Sequence, residues 1–185
     1  MKSTDQLKDE HRVIEKVLGA TLRLADAMAA GKDVDPAVFE KAAEFFKEFA
    51  DRCHHGKEEN LLFPLMEKRG IRAQGGPIGV MLNEHVQGRA FVRAFGEAAQ
   101  RYAGGEKSGA PEIIENVRGY VHLLHHHIMK EDQVLYEMAG RVLTEADDRE
   151  LLKGFDQVEH ELMGHGVHER YHHLAEELDQ AASLP

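Results

Sequence analysis

The sequence has no tryptophan, a single cysteine, and no run of apolar residues that approaches the length of a membrane-spanning helix. Because Cys53 has no second cysteine to pair with, an internal disulfide is excluded, and such usage suits a reducing compartment. The N-terminal stretch MKSTDQLKDEH also lacks the apolar segment of a secretory signal. We therefore expect a cytoplasmic protein with no membrane partner.

Basic residues are the second deficit. Lysine and arginine together number 23 against 33 aspartate and glutamate residues, so the net charge is −10. The basic residues form no stripe, whereas a nucleic-acid-binding surface needs a basic patch. We therefore expect no nucleic-acid partner. The length of 185 residues fits one domain with a sizeable core.

Helical periodicity is the dominant pattern that is present. Apolar residues recur every three or four positions through most of the chain, and no alternating strand pattern is seen. Glycines break the pattern at Gly31, at GIRAQGG (70–76) and at AGGEKSGA (103–110). The predicted helix starts are a Ser3–Gln6 capping box, Asp35-Pro36, Pro77, Pro111 and Thr144.

These segments predict an all-α fold. Four long amphipathic helices joined by short loops are typical of an up-down-up-down four-helix bundle, which we place at residues 1–142. A fifth helix is expected from Thr144 to about Met163 and a last one from about Val167 to Ala182. Together they would form a C-terminal helical hairpin or cap, residues 143–185, within the same single domain.

Two stretches of the chain share one short pattern. HHGKEENLLFPLM (54–66) and HHHIMKEDQVLYEM (125–138) both contain H-x-x-K-E-x-x-x-L-[FY]. His and Glu four residues apart lie on one face of a helix. The pairs His54 with Glu58 and His127 with Glu131 therefore fall within the apolar stripes of the second and fourth helices.

The first and third helices each place one histidine, His11 and His85, in their own apolar stripe. Burying imidazoles and carboxylates without partners costs roughly 2–7 kcal/mol for each polar group, and two facing glutamates would repel each other. A pair of divalent or trivalent cations between them would remove both costs. Mixed imidazole and carboxylate ligation suits iron, and sometimes manganese or zinc. The predicted metal ligands are His11, His54, Glu58, His85, His127 and Glu131.

The order H…HxxxE…H…HxxxE on four helices resembles the hemerythrin-like family, in its HHE cation-binding branch. The resemblance is carried by DEHRVIEKVL, HHGKEENLLFPLM, NEHVQGR and HHHIMKEDQVLYEM, which span most of residues 5 to 140. The tail FDQVEHELMGHGVHERYHHLAEEL is also similar to the end of such proteins. The resemblance implies two iron ions, joined by an oxo or hydroxo bridge and by Glu58 and Glu131, with an open coordination position.

This sequence departs from the oxygen-carrying hemerythrins at two points. Those proteins have a fifth histidine on the third helix, where this chain has Arg89, and they end the last motif on an aspartate that would correspond to Asp132. The set of four histidines and two glutamates instead resembles the bacterial iron–sulfur-cluster repair proteins. Their additional N-terminal cysteine domain is not found in this sequence.

The resemblance implies a diiron protein that binds or senses O2, or related small oxidants such as NO and peroxide. Two alternatives stay open: an enzyme that reduces NO or peroxide or supports cluster repair, and a partner-binding scaffold whose metal is structural. Manganese or zinc in place of iron also stays open. The expected partner is a small diatomic or peroxide ligand, and no protein partner is predicted.

Other polar residues receive less specific predictions. We expect Lys57 and Lys130 to be solvated, and Arg89 is assigned either to solvent or to a carboxylate near the core. Tyr136, Tyr120 and Tyr102 are candidates to line the pocket. His55, His122, His125 and His126 are expected to be solvated or to surround the ligands. A cap that packs on the bundle is favoured over a second metal site for His160, His165, His168, His172 and His173.

Overall fold

The computed structural model describes residues 1–164 and 166–183, without the side chains of 161–163, 167 and 168. His165 and the side chain of His168 therefore lie outside the described part, and so does part of the predicted tail cluster. The described residues contain helices and no strand, so the all-α class is confirmed. The α-helices are α1 (Lys2–Ala29), α2 (Ala37–Phe45), α3 (Phe63–Lys68), α4 (Pro77–Ala103), α5 (Ala110–Lys130), α6 (Tyr136–Val142), α7 (Glu145–Gln157) and α8 (Val167–Ala181).

Four π-helical segments, in which backbone hydrogen bonds run from i to i+5, interrupt these helices. Three of them lie where the shared motif falls, and π-helical turns are frequent at functional sites. A short 3-10 turn also precedes α5 at Lys107–Gly109. The π segments are π1 (Phe46–His55) and π2 (Glu58–Leu62) between α2 and α3, π3 (Glu131–Leu135) between α5 and α6, and π4 (Val158–Met163) after α7.

The helices pack around two apolar clusters with a polar layer between them. α4 packs along α5, α1 also contacts α5, and α2 contacts α4 and α1. The larger cluster includes Ile14 and Leu124, and the smaller one includes Leu7 and Leu135. Along α1, His11 lies between Leu7 and Ile14. The predicted site therefore occupies a layer with apolar packing above and below it.

The π segments shift the buried stripe by one residue relative to a regular α-helix. The sequence pattern predicts Leu61 and Leu65 inside the second helix, but Leu62 and Met66 are the fully buried residues. In the fourth helix the pattern admits Val134, which is 52% exposed, whereas Leu135 is buried. The physical reason is that an i to i+5 turn contains about one more residue than an α-turn.

The helix caps agree with the sequence predictions in part. The Ser3–Gln6 capping box is wrong, because α1 already begins at Lys2 and the Ser3 hydroxyl donates to Asp148 Oδ1 at 2.5 Å. The Thr144 cap is confirmed, and Asp147 completes a capping box with it.

The C-terminal segments lie against the first two helices of the chain. α7 and α8 contact α1, and α8 also contacts α2. The division into a bundle at 1–142 and an extension at 143–185 stays a prediction. Among the described residues, no helix has both the length and the apolar character that crossing a bilayer requires.

Candidate metal centre

The six predicted ligands converge in one buried layer, although they come from separate segments of the chain. Each is at most 1% exposed. Close approaches between their inward atoms include 3.1 Å for His85 Nε2 to His127 Nε2 and 3.2 Å for His127 Nε2 to Glu131 Oε2. His11 Nε2 lies 3.3 Å from Glu131 Oε2, and His85 Nε2 lies 3.4 Å from Glu58 Oε2. The structure therefore brings the six together, and their role as ligands stays a prediction.

His55 belongs to the same layer and is the residue that sequence reasoning missed. It was expected to be solvated or to surround the ligands, but it is 5% exposed, and its ring stacks on His85 with centroids 3.8 Å apart. The error comes from assuming α-helical periodicity, which places only one of two adjacent residues inside. In the wider π1 turn both His54 and His55 face the core. The consecutive histidines were the available signal.

The donor atoms of these seven residues fall into two groups, each within 4.8 Å. The first group consists of His55, Glu58, His85 and His127, and the second of His11, His54 and Glu131. Each group contains one carboxylate, and imidazole with carboxylate is a donor set that transition metals accept. The arrangement therefore provides for two neighbouring ions.

Four of the five imidazoles are held on their outer side by a carboxylate from another helix. An ionised carboxylate only accepts hydrogen bonds, so Nδ1 carries the proton. The unprotonated Nε2 then faces the centre with a lone pair that can bind a metal ion. Outer carboxylates of this kind fix the orientation of metal-binding histidines. The Nδ1 distances are 2.7 Å for His11 to Asp132, 2.8 Å for His54 to Glu10, 2.7 Å for His85 to Glu59 and 2.9 Å for His127 to Glu84.

Each holding carboxylate is adjacent in sequence to a predicted ligand, a signal that the sequence analysis did not use. Glu10 and Glu84 precede His11 and His85, and Asp132 follows Glu131. The carboxylate does not hold its own neighbour, however. It holds a histidine from another helix, so the pairing itself depends on how the helices pack.

A basic side chain contacts every holding carboxylate. Lys57 bonds Glu10, Lys130 bonds Glu84, and Arg12 bonds Asp132. The expectation that Lys57 is solvated is wrong, because its side chain is fully buried, and Lys130 is half-buried and paired.

Arg89 pairs with carboxylates, which was one of its two predicted assignments. Its Nη2 lies 2.8 Å from Glu59 Oε1 and 2.6 Å from Asp51 Oδ1.

Of the three candidate tyrosines, Tyr136 is the one that contacts a predicted ligand glutamate, Glu58. Its hydroxyl donates to Glu58 Oε1 at 2.7 Å, and its ring stacks on His11 with centroids 5.6 Å apart. Tyr120 packs in the larger apolar cluster, and Tyr102 packs against that cluster. His122, His125 and His126 are exposed, as predicted.

The two central glutamates cannot both keep a full charge in this buried layer without a cation. Burial, and then the negative charge of Glu131, raise the pKa of Glu58 well above its usual value. Burial lowers the pKa of His127, but Glu131 and Glu84 outweigh it and raise that pKa to about 9. A bound cation would take the place of these protons.

Five buried polar atoms lack any hydrogen-bond partner within the described residues, and all belong to the predicted ligands. Leaving such atoms unpaired costs roughly 2–7 kcal/mol each by transfer measurements. Native proteins retain few of them, and an ion is one standard explanation. Nitrogen and oxygen donors converging on one space fit a metal. The atoms are His11 Nε2, His54 Nε2, Glu58 Oε2, Glu131 Oε1 and Glu131 Oε2.

Comparison with known proteins agrees with this geometry. The chain is 22% identical over 161 residues to an uncharacterized protein of Mycobacterium bovis and to uncharacterized proteins of two Mycobacterium tuberculosis strains. The alignment covers 86% of this chain and 62% of each relative, so the chain spans less than two thirds of their length. No solved structure matches. The sequence profile of the hemerythrin HHE cation binding domain matches residues 2–139, and the chain therefore belongs to the hemerythrin family of HHE cation-binding domains.

Proposed function

We propose that this chain is a non-haem diiron protein that binds or senses O2 or a related small oxidant such as NO or peroxide. The observation that carries the proposal is the set of unpaired, buried His and Glu atoms that converge in one layer. His55, His85 and His127 would hold one ion, and His11 and His54 the other. Each glutamate also approaches a histidine of the other group, so both would be shared: Glu58 Oε2 lies 3.8 Å from His54 Nε2, and Glu131 Oε2 lies 3.2 Å from His127 Nε2.

Within the described residues, the side-chain atoms that face this space are too few to fill two ions completely. Five imidazole nitrogens and four carboxylate oxygens, one of which already accepts from Tyr136, are fewer than the twelve positions of two octahedral ions. When bound, a diiron pair supplies electron transfer to or from a small ligand at a vacant position. A protein that had only to be stabilised by metal would gain from a fully coordinated site, so the shortfall favours ligand binding.

The chain's own residues orient the donors and keep water away. The carboxylate on each Nδ1 fixes the tautomer that presents Nε2 to the centre. The two apolar clusters above and below the layer exclude large molecules from it, so that only small molecules can reach the centre. Tyr136 holds a proton at Glu58 Oε1.

The first test is metal content together with an absorption spectrum on protein prepared without oxygen, recorded before and after exposure to air. We expect about two irons per chain and near-ultraviolet charge-transfer bands that appear in air and shift on addition of azide. A protein that holds only a spectroscopically silent zinc would contradict the proposal. Added peroxide or NO then separates binding from turnover, because an enzyme consumes the ligand repeatedly.

A further inference from the structure

A groove of about 880 Å³ lies between α4 and the continuous stretch formed by α2 and π1. Its lining includes the apolar and aromatic side chains Phe46, Val92 and Tyr120. Gly88 and Gly96 line it as well, and a Cβ at Gly88 would lie only 3.3 Å from the Tyr120 ring. Glycine at these positions therefore lets α4 approach Tyr120 and Ala43 closely along the groove. The volume falls in the range of small-molecule sites.

One residue, His55, belongs both to the lining of the groove and to the candidate metal centre. Of the five histidines in the layer, His55 alone lines the groove within the described chain. It is also the most exposed of them, at 5% against 1% for the other four. On its far side its ring stacks against His85, so His55 separates the groove from the remaining imidazoles.

His55 is also the least firmly held of the five. The other four have a carboxylate 2.7–2.9 Å from Nδ1, supplied by a different helix. The Nδ1 of His55 lies 3.4 Å from Asp51 Oδ1, beyond the usual hydrogen-bond length. Asp51 stands four residues earlier in π1, so it follows the motion of the same helix. Arg89 also competes for it, with Nε at 2.8 Å and Nη2 at 2.6 Å from the same oxygen.

We propose that His55 is a detachable donor that acts as the gate between this groove and the metal centre. A small ligand, either a diatomic molecule or a small anion, enters along the groove and reaches the centre when the His55 ring moves aside. Arg89, which also lines the groove, is paired with Asp51 and Glu59. This inference rests on the proposed diiron function for the ligand, but the accessibility of His55 can be measured without metal.

The metal-independent test maps the reaction of each histidine with diethyl pyrocarbonate by mass spectrometry, on the full-length chain freed of metal by chelation. We expect His55 to react before the other four histidines of the layer. Val92→Trp, which fills the groove, should slow His55 by about tenfold, a change of ~1.4 kcal/mol in barrier. Val80→Trp on the same helix, at a site that is 48% exposed and outside the groove, is the matched control. Equal reactivity of all five histidines, or equal effects of the two tryptophans, would overturn the gate.

The second test measures azide binding to the iron-loaded chain by stopped flow. His55→Ala should retain two irons and bind azide about tenfold faster, whereas His54→Ala should lose iron. Val92→Trp should slow azide binding, and Val80→Trp should not. Loss of both irons in His55→Ala, with an unchanged azide rate in Val92→Trp, would sink the inference. Failure of the wild-type chain to bind iron would instead remove the diiron function, and the mapping experiment would still decide whether His55 is the gate.

Discussion

The two copies of the repeated motif form two halves of one site, and both halves have the same pattern of hydrogen bonds and ion pairs. In the first copy, His54 is held by Glu10, and Glu10 by Lys57. In the second, His127 is held by Glu84, and Glu84 by Lys130. Each motif lysine thus neutralises the carboxylate that orients the histidine of the same motif. This explains why the lysine recurs three residues after the histidine in both copies.

The surroundings of the two copies differ. Lys57 is fully buried, also contacts Glu159 of π4 at 2.5 Å, and lies 5.6 Å from the ring centroid of Phe155 in α7. Lys130 is 37% exposed. The C-terminal segments therefore close over the first copy and leave the second near solvent. We therefore expect the motif lysine to contribute more to stability in the first copy than in the second.

The last motif position adds a second difference. Phe63 in the first copy stacks on His85, and Tyr136 in the second stacks on His11. The stacking is shared, but only Tyr136 has a hydroxyl, and it bonds Glu58. Glu131 has no such donor among the described residues, and both of its oxygens are unpaired. The two central glutamates are thereby made unequal.

The largest expected difference is in the stability lost when each motif lysine is replaced on its own. Lys57→Ala leaves Glu10 and Glu159 without their buried cation and should lower the free energy of unfolding by about 3–5 kcal/mol. Lys130→Ala removes a partly exposed pair and should cost at most about 1 kcal/mol. Urea titration of both variants measures the difference. Equal losses would show that the C-terminal cover does not distinguish the copies.

The next effect concerns the carboxylates that hold the histidines. Glu10→Ala and Glu84→Ala should each weaken metal binding by about 10–100-fold, because the imidazole that each one orients loses its anchor. Competition with a chelator measures the affinity. Asp9→Ala, an exposed neighbour of Glu10 on α1, is the control and should leave the affinity unchanged. Full affinity in Glu10→Ala would mean that packing alone orients His54.

A smaller effect should follow from making the two copies alike at their last position. Tyr136→Phe leaves a buried Glu58 oxygen without its donor, at a cost of about 1–3 kcal/mol in metal-free protein. With metal bound, the azide-induced bands should shift, because Glu58 becomes more like Glu131. Phe63→Tyr offers a hydroxyl on the other side and is the matched partner variant. Identical spectra in all three proteins would remove Tyr136 from the site.

The smallest expected effect is on stability, through the ion pair that attaches the start of α7 to Arg69. α7 is the first of the C-terminal segments that pack over the first copy of the motif. Arg69, and then Thr144, hold the pKa of Asp147 well below its usual range. A lowered folded-state pKa adds stability above the unfolded value of about 3.9, and that stability is lost as the pH falls through the folded value. Asp147→Asn should therefore lower Tm at pH 7, and the difference should shrink steadily below about pH 4. A Tm difference that stays the same from pH 7 down to acidic pH would contradict this role of Asp147.

The helical segments and the six inward polar residues could be predicted because both depend on local spacing. The inward position of His55 and the burial of Leu62 in place of Leu61 were missed. A π turn changes which residues face inward, and the apolar pattern does not reveal it. The burial of Lys57 was missed for a different reason. Its cover comes from residues about a hundred positions later in the chain, so nothing near Lys57 in the sequence indicates it.

The fold class, the family and the six inward polar residues follow from the amino-acid sequence, since side-chain chemistry at helical spacing dictates which face must be buried. The packing of the helices decided which carboxylate holds which histidine, because every firm contact of this kind crosses between helices. It also decided that the two halves of the site differ. Their motifs are nearly the same, and the difference arises from what packs over them.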